Sequence, residues 1–308
     1  MRKKKEITDS GNKFPELSKL TEKIIDESQI KNFINIKLMD NPIEELYYID
    51  CKMEKDYSEK FFVSKKAIQV NTYKACVFIS NEQISHIKNK WEIDISELVI
   101  ESVIKEASRS INKHYIERIN NFADKTYKST FTRKDKILSF LYRLFRKTYH
   151  KTIKVKTPSH LIALILLEDN RIMQKARKGL NDFVICSLKT GVFLKNHPSF
   201  CYFTKLLEGT KKLNPDMIYP IGKIANLTIY VDPSMKFNDN SIIIGKKTNS
   251  EDTGLHIGYF PKGSSLNTIK EETGESKIEL FMKYVITDIG ENPEYMYSKF
   301  YYKTKIKI

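Results

Sequence analysis

The chain has 308 residues, 41% of them hydrophobic and 30% charged, and a formal net charge of +15. That balance excludes a disordered chain and fits one elaborate domain or two compact ones. The longest purely apolar run, Leu161 to Leu167, is far short of a membrane span, and the basic start MRKKKEITDSGNKFPEL lacks the apolar core of a signal peptide. The expectation is a soluble, unexported protein with no membrane partner. Four cysteines (Cys51, Cys76, Cys186, Cys201) form no C-x-x-C pair, and six histidines show no H-E-x-x-H spacing. They read as reduced thiols and scattered imidazoles, with no metal site and no cofactor.

Residues 1–12 read as a polar, basic arm, and Leu17 to Leu38, with Leu17, Leu20, Ile24 and Ile25 at mixed helical spacing, as a helix that docks on a neighbour. From 46 to 79 two β-rich runs, ELYYIDCKM and KFFVSKKAIQVNTYKACVFIS, flank the turn-like EKDYSEK, the pattern of a long hairpin. Ser80 to Trp91 reads as a short helix. Ile93 to Ala123 then contains neither Pro nor Gly, and Leu98, Val99, Val103, Ala107, Ile111, Tyr115, Ile119 and Phe122 recur at helical spacing. Asp94 and Glu97 have the spacing of a capping box. A helix of that length is either a spine onto which sheets pack or a member of a bundle, and periodicity does not separate the two.

The positive charge concentrates after this helix. Arg133 to Lys156 carries nine Lys/Arg (Arg133, Lys134, Lys136, Arg143, Arg146, Lys147, Lys151, Lys154, Lys156) against Asp135 alone. Ile137, Leu138, Phe140, Leu141, Leu144 and Phe145 are interleaved with the cations at helical spacing. Three readings compete: a solvated helix packing its apolar side on the protein, a surface facing a polyanion, and a helix lying on a membrane surface. SHLIALILLEDNRIMQKARKG is a further helix, which Gly179 is expected to stop. Beyond it come short strands, DFVICS, LTIYVDP, SIIIGKK and GLHIGYF, with a helical piece near Leu188–Leu194. After a polar loop, LNTIKEETGESK, the segments IELFMKYVITDIGENP and KFYYKTKIKI close the chain. Helices and strands alternate without a regular βαβ rhythm, so the fold class is α+β, with two sheets and a long helix.

Chemistry is sparse. There is no phosphate-binding G-x-x-x-x-G-K-[ST], no G-x-G-x-x-G and no G-x-S-x-G. Asp232, Asp239 and Asp252 lie in turn contexts (VDPS, FNDN, SEDTG), where such residues bond their own backbone. Cys186-Ser187 and His197 form a nucleophile and base only on paper, since no orienting group accompanies them. The chain is expected not to be an enzyme.

Several stretches, in the same order, resemble the major capsid proteins of T-even-type tailed bacteriophages. The first is EKFFVSKKAIQVNTYKACVFISNEQISHIKNKWEIDISELVIESVIKEASRSINKHYIERI, with an acidic entry into a long helix and a turn-like Ser110-Ile111-Asn112-Lys113 at its end. The second is RKGLNDFVICS. The third runs from Gly222 through Asp232-Pro233, Asp239, Gly245, Asp252 and Gly254 to Pro261, the positions of the family's "DPY…ND…vGYKG…DAG" series. The fourth is FMKYVITDIGENP…FYYKTKIKI. Ser234 in place of an aromatic, Lys246-Lys247 in place of Tyr-Lys, and Thr253 in place of Ala depart from that series, and the chain is shorter than its T-even counterparts.

The resemblance implies the Hong Kong 97-like capsid fold, with a spine helix, an extended hairpin loop and a strand-rich axial domain. Its expected layout is an N-terminal arm (1–45), the extended hairpin (46–79), a peripheral domain (80–156, spine helix 93–123), an axial domain (157–262) and closing strands of the peripheral domain (263–308). It implies a subunit that self-assembles with copies of itself into hexameric and pentameric capsomers of the icosahedral virion head. Scaffold, portal and prohead protease are the implied partners, with assembly in the host cytoplasm and packaged double-stranded DNA held without sequence preference. Arg143, Arg146, Lys147 and Lys151 are the expected DNA-facing or assembly patch. Other readings are a minor vertex paralogue, an encapsulin-like shell protein, and a basic nucleic-acid-binding protein acting through 133–156. Trimming after Glu27 in Ile25-Asp26-Glu27 is a further expectation.

Overall fold

The structure, a computed structural model, describes residues 17–53, 59–80, 82, 95–144, 150–177, 182–203, 217–249, 252–270 and 275–304. The chain divides into two units. One comprises Met1–His114 and Leu255–Ile289, the other Tyr115–Gly254 and Gly290–Ile308.

In the first unit, helix α1 (Leu17–Glu27) buries Leu20, Ile24 and Ile25 but stops well short of the expected Leu38, and residues 35–38 form a strand instead. The Ser108 hydroxyl donates to the Ile24 carbonyl at 3.0 Å. Strands β1 (Asn35–Leu38), β4 (Asn71–Ser80), β11 (Gly254–Tyr259), β12 (Ser265–Lys270) and β13 (Glu275–Ile289) make a five-stranded sheet. β13 is its axis, antiparallel to β4 from Glu275↔Ser80 to Tyr284↔Asn71 and to β12 from Lys270↔Ser276 to Ser265↔Phe281. Strands β2 (Ile43–Met53) and β3 (Glu59–Gln69) pair only with each other among the described residues, in register from Ile43↔Gln69 to Met53↔Glu59. Their base is fixed by a small core of Met39, Leu46, Ile68, Val70 and Ile289.

Two sequence expectations change here. The hairpin does not run to residue 79. The chain leaves it at Val70, whose N–H donates to the Pro42 carbonyl, and residues 71–80 pair with β13 instead. No Gly or Pro marks that break, so the run VSKKAIQVNTYKACVFIS reads as one strand. LNTIKEETGESK is not simply a loop: most of its described residues belong to β12 and the start of β13. A half-exposed strand alternates polar and apolar residues too weakly to register as one. The helix expected over Ser80–Trp91 and the Asp94 cap lie outside the described residues, save residue 82.

The spine helix α2 spans Ile95–Ser129, 35 residues and about 52 Å at 1.5 Å per residue. It is longer than expected, because nothing in the sequence stops it at Ala123. Ser110–Lys113, which the resemblance placed in a turn, are helical throughout. Val99, Val103, Ala107, Ile111, Tyr115, Ile119 and Phe122 are all buried, as their spacing requires. Residues up to His114 belong to the first unit and those from Tyr115 to the second.

The second unit holds helices α3 (Arg133–Leu144), α4 (Pro158–Ala176) and α5 (Leu188–Lys195). Its strands are β5 (Thr152–Val155), β6 (Phe183–Cys186), β7 (Cys201–Tyr202), β8 (Tyr219–Ile224), β9 (Leu227–Val231), β10 (Ser241–Gly245) and β14 (Tyr297–Thr304). They form a sheet in the order β5-β14-β10-β6-β9-β8-β7. Every residue of β6 and β10 is buried, the sign of a central strand covered on both faces. The Thr157 side chain caps α4 by accepting from His160 N–H, Pro158 opens it, and Leu161, Ile162, Ile165 and Ile172 pack on the sheet. α4 ends at Arg177 in the left-handed region (φ 53°), ahead of the expected stop at Gly179. β13 and β14, read together as closing strands, lie in different sheets. The chain passes between units at Gly254 (φ 127°) and Gly290 (φ 93°), a backbone region that side chains rarely tolerate.

Candidate functional site

Among the described residues no group of His, Cys, Asp or Glu is arranged to hold a metal. The three turn aspartates bond their own loops. Asp232 Oδ1 accepts from Ser234 N–H (2.9 Å) and Oγ (2.6 Å), Asp239 Oδ1 from Ser241 N–H (2.8 Å), and Asp252 Oδ2 from Asn249 N–H (3.0 Å). Pro233 sits exposed in the first of these turns. Gly222 lies where β8 passes β7, and a Cβ there would collide with the Cys201 carbonyl and the Phe200 ring. Gly245 ends β10, against Phe183 and Tyr297, and Gly254 opens β11. These positions shape two sheets rather than one pocket.

Cys186 and Ser187 are core residues. Burial pushes the Cys186 thiol up to about 12, far from the thiolate a nucleophile needs. The Ser187 hydroxyl accepts from Thr190 N–H to cap α5 and donates to the Asp239 carbonyl at 2.6 Å. His197 Nδ1 accepts from Ser199 N–H within its own turn.

The surfaces are more informative. α3 begins with a capping box: Asp135 Oδ2 accepts from Thr132 N–H (2.9 Å) and Oγ1 (2.7 Å), and Asp135 N–H faces Thr132 Oγ1. Lys151 Nζ also donates to Asp135 Oδ2, at 3.0 Å. Lys151 therefore anchors the start of α3 instead of standing in an open cationic patch. Arg146 and Lys147 lie outside the described residues, as does the Arg143 side chain. Beyond its cap α3 leaves its apolar residues in water, with Ile137 60% and Phe140 64% exposed and Leu138, Leu141 and Tyr142 each at least 40% exposed. The reading in which this helix packs its apolar side on its own chain is overturned for these residues. Arg133, Lys134 and Lys136 are exposed beside them.

The hairpin repeats the pattern. Ile43, Tyr47 and Val63 lie on one of its faces, and Val63 is 75% exposed. Lys65 pairs with Glu45 at 2.8 Å on the same face, while Leu46 and Ile68 on the other face enter the core.

Behind the surface of the second unit, Lys299 is an ammonium buried to 6% exposure. It donates to Asn120 Oδ1 at 2.7 Å and pairs with Asp124 Oδ1 at 2.9 Å. Burial acts to lower its pKa, but hydrogen bonds to Tyr301 and Asp124 outweigh that and hold it above the usual lysine value. In the first unit Glu279 is buried between Lys74 and Lys277, and the Lys74 hydrogen bond leads in lowering its pKa. Local sequence pattern carries no sign of either pair, because both depend on cross-strand and helix–sheet neighbours.

Among the described residues the hairpin pairs with no third strand, and its outer face and that of α3 leave large apolar side chains exposed. The fold is that of the Hong Kong 97-like phage capsid proteins. The model of the family described as Major capsid protein Gp23 matches residues 4–300, and the chain belongs to that family. It is a structural, non-enzymatic subunit of the virion's capsid shell and self-assembles into capsomers. Among solved structures it is similar to the satellite phage P4 procapsid that includes size determination (Sid) protein, with TM-score 0.51, 14% identity, and 97% of this chain and 94% of that chain covered. It is also similar to the virus-like particle from Pyrococcus furiosus (TM-score 0.48, 13% identity, 92% and 97% covered). A third similar structure is the mature capsid of bacteriophage PhiM1 (TM-score 0.44, 11% identity, 99% and 92% covered). No curated protein sequence matches the chain.

Proposed function

We propose that this chain is the principal lattice subunit of a tailed-phage head, building its hexamers and pentamers around double-stranded DNA. The observation that supports this is the uncovered apolar face of α3. A helix of 12 residues is marginal in water on its own, and burying one large apolar side chain contributes about 1.5–3 kcal/mol, so a neighbouring copy gains by covering it. The hairpin at 43–69 is the extended loop that lies on an adjacent subunit, and the arm expected over 1–45 is confined to the residues before α1, since α1 is packed and β1 pairs with β11. The peripheral and axial roles follow the two units rather than the expected blocks 80–156, 157–262 and 263–308, because β11 and β13 share one sheet while β14 joins β6 and β10 in the other. Scaffold, portal and prohead protease act on the shell in the host cytoplasm, and DNA is enclosed without sequence preference.

The test is the variant Ile137→Ser/Phe140→Ser. It removes apolar surface that the isolated chain does not bury, so its melting temperature should stay within a degree or two of wild type while capsomer or shell formation, followed by sedimentation and electron microscopy, is lost. Unchanged assembly would show that α3 is not an assembly face.

Trimming after Glu27 needs a local opening first. Ile24 and Ile25 are buried, and the Ile24 carbonyl is held by Ser108.

A further inference from the structure

The cations that the sequence groups within 133–156 part ways in the structure. Those of α3 flank an apolar face, and Lys151 is spent on Asp135. Lys154 and Lys156 go elsewhere. β5 is an edge strand of the seven-stranded sheet and runs parallel to β14, with Lys154 level with Lys303. The residues next to them, Val155 and Tyr302, are buried at 3% and 1% exposure, so alternation turns Lys154 and Lys303 outward on one face. Both are exposed, and Lys156 is exposed two residues beyond Lys154. Ion pairs that the structure shows for other lysines of the second unit, such as Lys151, Lys246 and Lys299, are absent for these three among the described residues. Of the acids around the neighbouring Tyr301, Asp124 pairs with Lys299 and Asp239 uses Oδ1 to accept from Ser241 N–H. In sequence the alternation continues past Lys303 as Lys305-Ile306-Lys307.

Like charges side by side on neighbouring strands repel, and among the described residues no ion pair relieves it. We propose that this lysine strip, Lys154, Lys156 and Lys303, is a binding site for the phosphate backbone of duplex DNA. The inference rests on the reading of the chain as a DNA-enclosing shell subunit, and it moves the DNA contact from 143–151 to the β5–β14 edge. Composition separates a polyanion from a protein partner here. A protein interface needs an apolar centre, which α3 has and the strip lacks, its intervening side chains being turned into the core. Lys154 and Lys303, level on adjacent strands and so about 4.8 Å apart at the backbone, need only phosphates to face them. Nothing on the strip presents the paired donors and acceptors that read base edges, so binding is blind to sequence.

The test measures the affinity of the unassembled full-length chain for a short labelled duplex between about 50 and 200 mM salt. Each lost phosphate contact lowers the slope of log K against log[salt] by about 0.9. The variant Lys154→Gln/Lys156→Gln/Lys303→Gln should therefore lose roughly 40-fold less affinity across that range than wild type. Replacement of the same three by Arg should keep the wild-type slope, and Arg133→Gln/Lys134→Gln/Lys136→Gln on α3 should leave it unchanged. An unchanged slope in the strip variant overturns the proposal. So does equal binding of poly-glutamate, which assigns the strip to acidic protein. Particle formation, followed separately by electron microscopy, keeps the two readings apart. Shells that form normally from the Gln variant with the slope reduced support the proposal, whereas a wild-type chain that never forms particles refutes the shell reading without touching the slope.

Discussion

Lys299 shows how a single side chain commits this fold to a particular charge arrangement. Its ammonium is held by Asp124 and Asn120 from the spine helix and lies 5.0 Å from the Tyr301 ring. Removing one partner strands a buried charge, which costs more than the pair itself contributes. Asp124→Ala should therefore lower unfolding stability by about 2 kcal/mol or more, read from denaturant titration, whereas Lys299→Met should cost less because the carboxylate it leaves, Asp124, is 34% exposed and keeps water. Because the folded pKa is raised, the stabilisation from Lys299 is complete below the unfolded lysine value and disappears only as pH rises through the folded one. Glu279 has the opposite sign. Its folded pKa is lowered, chiefly by the Lys74 hydrogen bond, so its contribution is present above the ordinary glutamate value near 4.5 and is lost as pH falls below it. Melting temperature against pH should decline in that acid range and decline less steeply in Glu279→Gln. A Glu279→Gln profile identical to wild type would show that the pair is not linked to folding.

At the scale of elements, the hairpin and α3 share one property: each is ordered but incompletely covered. A two-stranded hairpin alone is marginal in water, and among the described residues β2–β3 has a core only at its base. Amide exchange across 43–53 and 59–69 should slow markedly when dissociated protein is assembled, with the smallest change at Leu46 and Ile68, already buried. Strong and equal protection in both states would mean the hairpin carries its own stability. The sequence revealed that both elements exist, since alternation and helical spacing report which residues want burial. They do not report against what. Hence the pattern Ile137-Leu138-Phe140-Leu141 suits the chain's own core, the reading it first suggests, as well as an outside surface, and the exposure of Phe140 separates the two. Boundaries were less legible for a related reason. The break at Val70 and the end of α4 at Arg177 rest on one backbone hydrogen bond and one positive φ, neither of which needs a distinctive residue.

At the scale of the whole chain, the spine helix, the buried strands β6, β9 and β10 and the α+β class were readable because long apolar runs with regular period leave few alternatives. Strand partnership was not readable. That β13 joins one sheet and β14 the other, or that Lys154 stands beside Lys303, depends on contacts between segments distant in sequence, for which local pattern holds no information. The lysine strip in particular needed the parallel register of β5 and β14 before its two halves became one surface. The position of β14 also sets a timetable. It lies between β5 and β10, yet a ribosome delivers Tyr297 about 140 residues after β5 and about 55 after β10. At about 5–20 residues per second, β10 waits roughly 3–11 s with one edge unpaired. Throughout that interval the second unit cannot close, and a nascent chain is unfit to join a lattice. Premature polymerisation on polysomes is thereby discouraged by the order of translation itself, at the risk that the open edge meets another unfinished chain first.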